Sequence, residues 1–249
     1  MGPSRVPLWP PAEEALLMSF SASLIAMSNP ILDAILRHPF VRGIAEGNLS
    51  KAAAIRYVSQ DQPYLETYLR VFAHAAALAP RHEDVADFHG RMSLLLGGET
   101  QAHDNLLRYA GATPHDVEGQ PKLPTLHHYE SHLLASAARG DFAELVAAIL
   151  PCHHVYVEIG QRLEPILEER PDHPFAAWIR FYADPGMQDA THRLFAMIDR
   201  EAAHFSTERA RRVEAAFVAS CHLEYRFFDM AYRGESWLPK EALSDVSTP

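Results

Sequence analysis

The chain has 249 residues, 48% of them hydrophobic, and 22 Lys and Arg against 32 Asp and Glu give a formal charge of −10. That length leaves one large domain or two small ones and is ample for a buried core, and the apolar fraction excludes a disordered chain. The acidity argues against a phosphate-tracking nucleic-acid binder, and 2 cysteines cannot build a disulfide framework. The 15 histidines leave three meanings open: metal, acid–base chemistry, or neither.

In chain order, Met1–Pro11 lacks the basic start and apolar stretch of a secretory signal. No uninterrupted apolar run approaches the roughly 20 residues of a membrane span. The expectation is a cytoplasmic protein with reduced thiols and no membrane contact. Nearly every periodic segment then has helical spacing. A first helix is expected from about Ala12 towards Leu36, interrupted near Asn29-Pro30. After His38-Pro39 and Gly47-Asn48, Ser50 reads as the N-cap of a long helix through Leu78 that Pro63 should bend. Glu83 to Tyr109 reads as one helix and Ala112–Pro121 as a loop. Pro124 and Gly140 frame the next helix, and Asp141 caps another through about Leu167. Pro174–Ala183 and Met187–His204 follow, and Ser206 caps a last helix reaching Tyr232. With no linker and no internal repeat, the expectation is a single all-α domain, a multi-helix bundle with its core over about 12–234.

Polar groups on otherwise apolar faces are the informative positions. Asp61, Tyr64 and Tyr68 are spaced i, i+3, i+7 and share a helix face. There an acid and two phenols could hydrogen-bond a ligand's amine and ring nitrogen. Equally, Asp61 could satisfy backbone donors around the Pro63 bend while the tyrosines merely pack. Cys152 and Tyr156 are i, i+4, just after Pro151. Both features fit a thiol presented to a cavity, against the ordinary reading of cysteine as a small buried hydrophobe. His153 and His154 follow, and at most one can share the face of Cys152. Glu224 lies in an aromatic-rich stretch, three residues from Phe227 and from Cys221. A carboxyl among aromatics has a raised pKa and suits a general acid; the alternative is an ion pair with a neighbouring helix.

Histidine spacing supports no complete metal site. Glu99 and His103, His128 and His132, and His154 and Glu158 are i, i+4 pairs. The Glu201-x-x-His204 and Asp189-x-x-His192 elements fall on one helix about 18 Å apart, too far to share an ion. His38 and His173 precede prolines and His115 falls in a loop, which reads as turns and solvated positions.

The stretches His38-Pro39-Phe40-Val41, Gln60-Asp61-x-x-Tyr64-Leu65, Glu99-x-x-x-His103 and Leu150-Pro151-Cys152 carry a resemblance. So do Tyr156-x-Glu158-Ile159-Gly160, Trp178-Ile179-x-x-Tyr182 and Glu224-Tyr225-x-Phe227-x-Asp229. In order and spacing, from about Ile31 to Arg233, the chain resembles the TenA / thiaminase II family. The resemblance implies a haem-oxygenase-like helical bundle, usually a homotetramer, with no haem, metal or other cofactor. It implies hydrolysis of a small-molecule aminopyrimidine, chiefly 4-amino-5-aminomethyl-2-methylpyrimidine, to the hydroxymethyl pyrimidine of thiamin salvage, and in many members cleavage of thiamin itself.

By matched position it implies Cys152 as the nucleophile that adds to the ring and Glu224 as the group handling the ring-nitrogen proton, with Tyr182 beside it. Asp61 would bind the 4-amino group and adjacent nitrogen. Tyr64 and Phe227 would wall the ring, and Tyr129 and Tyr156 would orient Cys152 or the substrate. Pro63 and His153-His154 depart from the family's usual residues and bear on the preferred substrate. Two other readings compete: a pyrimidine-binding protein without turnover, and a metal-dependent oxidase on the same fold. Acidity and the absence of a DNA-reading helix argue against nucleic acid as a partner.

Overall fold

Serines, an aspartate and a histidine open the main helices. The computed structural model describes residues 19–96 and 101–238. Ser19 Oγ accepts from the Ala22 amide at 3.2 Å and opens α1 (Phe20–Leu36). The His38 ring accepts from the Phe40 amide at 3.1 Å and opens α2 (Pro39–Glu46). Ser50 caps α3 (Lys51–Leu78) at 3.2 Å. There follow α4 (His82–Leu96), α5 (Gln101–Ala110), α6 (Pro114–Val117) and α7 (Pro124–Arg139), the last closed by Gly140 at φ 72°. Asp141 caps α8 (Phe142–Leu163) at 3.2 Å. The chain continues through α9 (Ile166–Glu169), α10 (Ala176–Ala183) and α11 (Pro185–Ala202). Ser206 caps α12 (Thr207–Arg233) at 3.1 Å. Each such cap contributes about 1 kcal/mol. The described residues contain no strand.

Helix α8 is buried on nearly every face, as an all-round apolar helix must be, and α12, α10, α11 and α7 surround it. Helix α3 packs against α12, α4, α5 and α7. The stretch Phe142–Glu169, though interrupted by Glu144, His153-His154 and Glu158, is long and apolar enough by length and composition to cross a membrane, but 83% of its most apolar window is buried inside the bundle. It is the core helix.

Several boundaries differ from expectation. Pro30 does not interrupt α1, whose Leu24, Leu32 and Ile35 are buried against α11 and α12; that packing outweighs one lost backbone bond. The expected start at Ala12 lies outside the described residues. Glu83–Tyr109 comprises two helices, α4 and α5, on either side of residues 97–100. The expected loop holds the short α6, whose capping Thr113 bonds Asp116. Helix α8 ends at Leu163 rather than Leu167, and Pro165 starts α9. His38 and His173, expected to be solvated, are buried: their rings bond Asp229 and the Ala45 carbonyl, and accept from the Phe40 and Phe175 amides.

Candidate active site

Asp61 lies in the middle of α3, buried, with Tyr57 one turn before it and Tyr64 one turn after. Its partner is not the backbone around Pro63. His103, from the first turn of α5, meets Asp61 Oδ2 through Nε2 at 2.6 Å. Glu99, the other half of that i, i+4 pair, lies outside the described residues. Tyr64 and Tyr68 stack with ring centres 5.2 Å apart, so the shared face expected from their spacing is real. The Tyr64 hydroxyl is buried with no hydrogen-bond partner among the described residues.

Cys152 projects from α8 one residue after Pro151. In the preceding turn, the carbonyls of Ala148 and Ile149 accept from the Ser220 hydroxyl and the Tyr68 hydroxyl, each at 2.8 Å. These bonds fix this part of α8 to α12 and α3. Cys152 is half-buried, not sealed in the core, whereas Cys221 is fully buried. Burial pushes the Cys152 thiol well up and the charge of Glu224 adds to this, while the nearby Tyr64 and Tyr68 hydroxyls pull it back. His153 and His154 turn away from one another. His153 stacks on Phe72 and meets Arg91 at 3.3 Å; His154 lies edge-on to Phe195. Tyr156 faces the other members of the cluster, its hydroxyl bonded to that of Tyr57 at 2.7 Å.

Glu224 lies on α12 and is 2% exposed. Its partner is the Tyr129 hydroxyl of α7, which donates to Oε1 at 2.6 Å, and among the described residues it has no ion-pair partner. Burial raises its pKa to about 8, with Tyr129 opposing the shift and the charge of Asp61 adding to it. Phe227, one turn on, packs against Tyr64 at 6.0 Å and edge-on to Tyr57 at 5.6 Å. Tyr129 stands 4.9 Å from Tyr64. Tyr182 of α10 is half-buried and leans on Tyr156 and Trp178, both at 4.7 Å. All eight residues singled out from the sequence therefore surround one region, reached from α3, α7, α8, α10 and α12.

Three members of this region carried no such expectation. Tyr57 is not among the residues the sequence singles out, yet its hydroxyl is in the cluster. His103 reads as half of a metal pair and as part of one resemblance stretch, with no site role of its own, because its real partner is on another helix. Gly160 is the third: a Cβ there would lie 2.4 Å from the Tyr182 carbonyl carbon. Its missing side chain lets α8 and α10 touch backbone to backbone and sets where Tyr182 stands. Among the described residues, no group of three or more His, Cys, Asp or Glu could hold a metal ion.

Chemically, the region offers a thiol, a carboxyl that keeps its proton near neutrality, and a second carboxylate, all walled by phenols. A flat, nitrogen-bearing ring fits such a wall, since its faces stack and its edges meet donors and acceptors.

Comparison with known proteins bears on the family and the fold. Residues 26–234 match the model of the TENA/THI-4/PQQC family. The chain is 34% identical over 221 residues to an aminopyrimidine aminohydrolase of Halalkalibacterium halodurans, covering 88% of this chain and 98% of that one. A TenA homologue from P. horikoshii OT3 superposes with a TM-score of 0.77 at 25% identity, covering 88% of this chain and all of that one. A domain from Shewanella denitrificans described as having a haem-oxygenase-like fold superposes with a TM-score of 0.65 over 90% of this chain, at 16% identity. The fold is thus all-α and haem-oxygenase-like, and the chain belongs to the TENA/THI-4/PQQC family.

Proposed function

We propose that the protein is a cysteine-dependent aminopyrimidine aminohydrolase, converting 4-amino-5-aminomethyl-2-methylpyrimidine to its hydroxymethyl counterpart and ammonia. The observation that carries this reading is the meeting of Cys152, Glu224 and Asp61 from three helices inside one tyrosine-lined cluster. The curated name of the Halalkalibacterium relative supports the substrate class.

In this reading the pyrimidine lies against Tyr64 and Phe227, with its 4-amino edge on Asp61. Glu224 is protonated at neutral pH because its pKa is raised to about 8, and it gives that proton to a ring nitrogen. The ring becomes electrophilic, Cys152 Sγ bonds to a ring carbon, and the bond from the methylene carbon to the amine breaks. The amine takes the thiol proton and leaves as ammonia. Water then bonds to the methylene carbon, the carbon–sulfur bond breaks, and sulfur regains a proton from that water. The ring-nitrogen proton returns to Glu224, so acid and nucleophile are both restored. Tyr129 holds the carboxyl between these steps, and Tyr156 and Tyr182 order the polar edge of the site. Burial strengthens each of these contacts relative to water.

The test is incubation of purified protein with the aminomethyl pyrimidine, followed by chromatographic detection of the hydroxymethyl product. Ligand-induced stabilisation without product would replace the hydrolase with a pyrimidine binder. A parallel incubation with thiamin shows whether a thiazole leaving group is also accepted.

A further inference from the structure

Asp61 faces the site with only one of its two oxygens free. Oδ2 is held at 2.6 Å by His103 Nε2. Oδ1 has no hydrogen-bond partner among the described residues, and it is not among the buried unpartnered atoms, so it keeps an open side. A hydrogen bond between an imidazole nitrogen and a carboxylate takes its hydrogen from nitrogen, so His103 donates and Asp61 accepts. His103 is 5% exposed, and its other ring nitrogen, Nδ1, is buried with no partner among the described residues. The ring is steadied by Asp61 and by the edge of Tyr57, with ring centres 6.4 Å apart.

The position of Asp61 matters to the whole cluster. Its charge reaches Tyr57, Cys152, Tyr156, Tyr182 and Glu224, on α3, α8, α10 and α12, and raises the pKa of each. A carboxylate free to turn about its side-chain bonds would blur both that field and the direction of its open oxygen. We propose that His103 is the positioning residue that claims Asp61 Oδ2 and aims Oδ1 as a one-sided acceptor, so that the site selects a 4-amino over a 4-oxo pyrimidine. This rests on Asp61 meeting the 4-amino edge in the proposed function. An amino group presents a hydrogen to Oδ1. A 4-oxo group presents a lone pair instead, and a fixed acceptor cannot turn away from it.

The experiment compares wild type with H103L, H103Q and H103N. Glutamine carries an amide nitrogen to about the reach of Nε2, whereas asparagine stops short of Asp61. Kinetics with the aminomethyl pyrimidine are measured alongside thermal shifts with 4-amino-2-methylpyrimidine and its 4-oxo analogue. The expected result for H103L is a KM raised about tenfold, a smaller fall in kcat, and a 4-amino over 4-oxo binding preference reduced about tenfold. H103Q should recover most of the preference and H103N should not. An unchanged preference in folded H103L overturns the proposal, and so does equal recovery by H103N and H103Q. The latter comparison decides the matter even if H103L fails to fold. If wild type binds without turnover, the hydrolase reading fails while the binding preference still measures what His103 does.

Discussion

At the start of α8, Arg139, Arg209 and Arg212 meet Asp141, Glu144 and Glu201 around a cavity of about 550 Å³. Eleven residues along the same helix, about 16 Å away, stands Cys152. At the first region every carboxylate has an arginine: Arg209 holds Asp141 at 2.8 and 2.9 Å, Arg139 and Arg212 share Glu144, and Glu201 meets Arg209 at 3.5 Å. Burial pushes the Asp141 carboxyl up, but Arg209 and the capped amides prevail and hold it below its usual range. At the second region, neither Asp61 nor Glu224 pairs with a lysine or arginine among the described residues. There no cation offsets burial, which prevails over the Tyr129 hydrogen bond, and Glu224 rises to about 8. The roomier region has spent its charges on one another and reads as structural. The drier one holds groups whose protons remain available, and that is where chemistry belongs.

The sharpest break of this contrast is Cys152→Ala. If the thiol is the nucleophile, turnover should fall on the order of 10³-fold or more. Stability should fall by no more than about 1–2 kcal/mol, since only one sulfur atom packed against the core is removed. Activity surviving intact, measured as product formed from the aminomethyl pyrimidine, would remove the thiol from the mechanism. Cys221→Ala is the companion: it alters a buried sulfur on α12 and should leave kcat near the wild-type value.

Glu224→Gln tests the same region with effects of opposite sign on activity and stability. Loss of the acid should lower kcat about 10²–10³-fold. The wild-type rate should itself decline above a pH near 8, where Glu224 gives up its proton. An unfolded glutamate does so near pH ~4.3. Between those two values the folded chain binds more protons than the unfolded chain, so wild-type stability falls as pH rises. The E224Q variant lacks that penalty. Urea melts should find it more stable than wild type by on the order of 2–4 kcal/mol at pH 8.5, with the gap closing towards pH 4–5. A variant less stable than wild type at pH 8.5 would mean that the burial cost is relieved elsewhere.

Gly160→Ala should act more mildly on rate. Its added methyl meets the Tyr182 backbone at 2.4 Å, so α10 must move. Overpacking of this kind costs about 1–3 kcal/mol. Because Tyr182 moves with the helix, kcat/KM should fall roughly tenfold, with Cys152 still reactive towards a thiol reagent. An unaltered kcat/KM would show that the site tolerates displacement of Tyr182.

How much of this was legible beforehand depends on where each partner sits in the chain. Asp61, Cys152 and Glu224 stand out because each is a polar group on an apolar helical face, a local pattern that periodicity exposes. Ser50, Asp141 and Ser206 announce helix starts for a similarly local reason. His103 does not stand out, because the Asp61 it meets is on another helix, and its nearest patterned neighbour is Glu99. Tyr57 is hidden differently: it is an aromatic that packs on Phe40 as a core residue would, and only its bond to the Tyr156 hydroxyl separates it. His38 and His173 mislead because a His-Pro pair resembles an exposed turn, while tertiary partners at Asp229 and Ala45 bury them. Local chemistry is readable in one dimension; pairing across the bundle is not.

The smallest expected effect lies at the other region. Arg209→Ala removes both bonds to Asp141, the longer contact with Glu201, and a guanidinium set 4.8 Å over the Phe205 ring. These groups are partly exposed, so water and Arg212, 4.0 Å from Asp141, take over much of the lost pairing. The cost should be about 1–2 kcal/mol, read as a lower urea midpoint with an unchanged slope. Because Asp141 caps α8 through its own side chain, the helix start should persist and Cys152 should keep its place. At a temperature well below the melt, kcat and KM should match wild type. A folded R209A protein with lost turnover would break the comparison, since it would show that the paired charges at the start of α8 govern the unpaired ones farther along it.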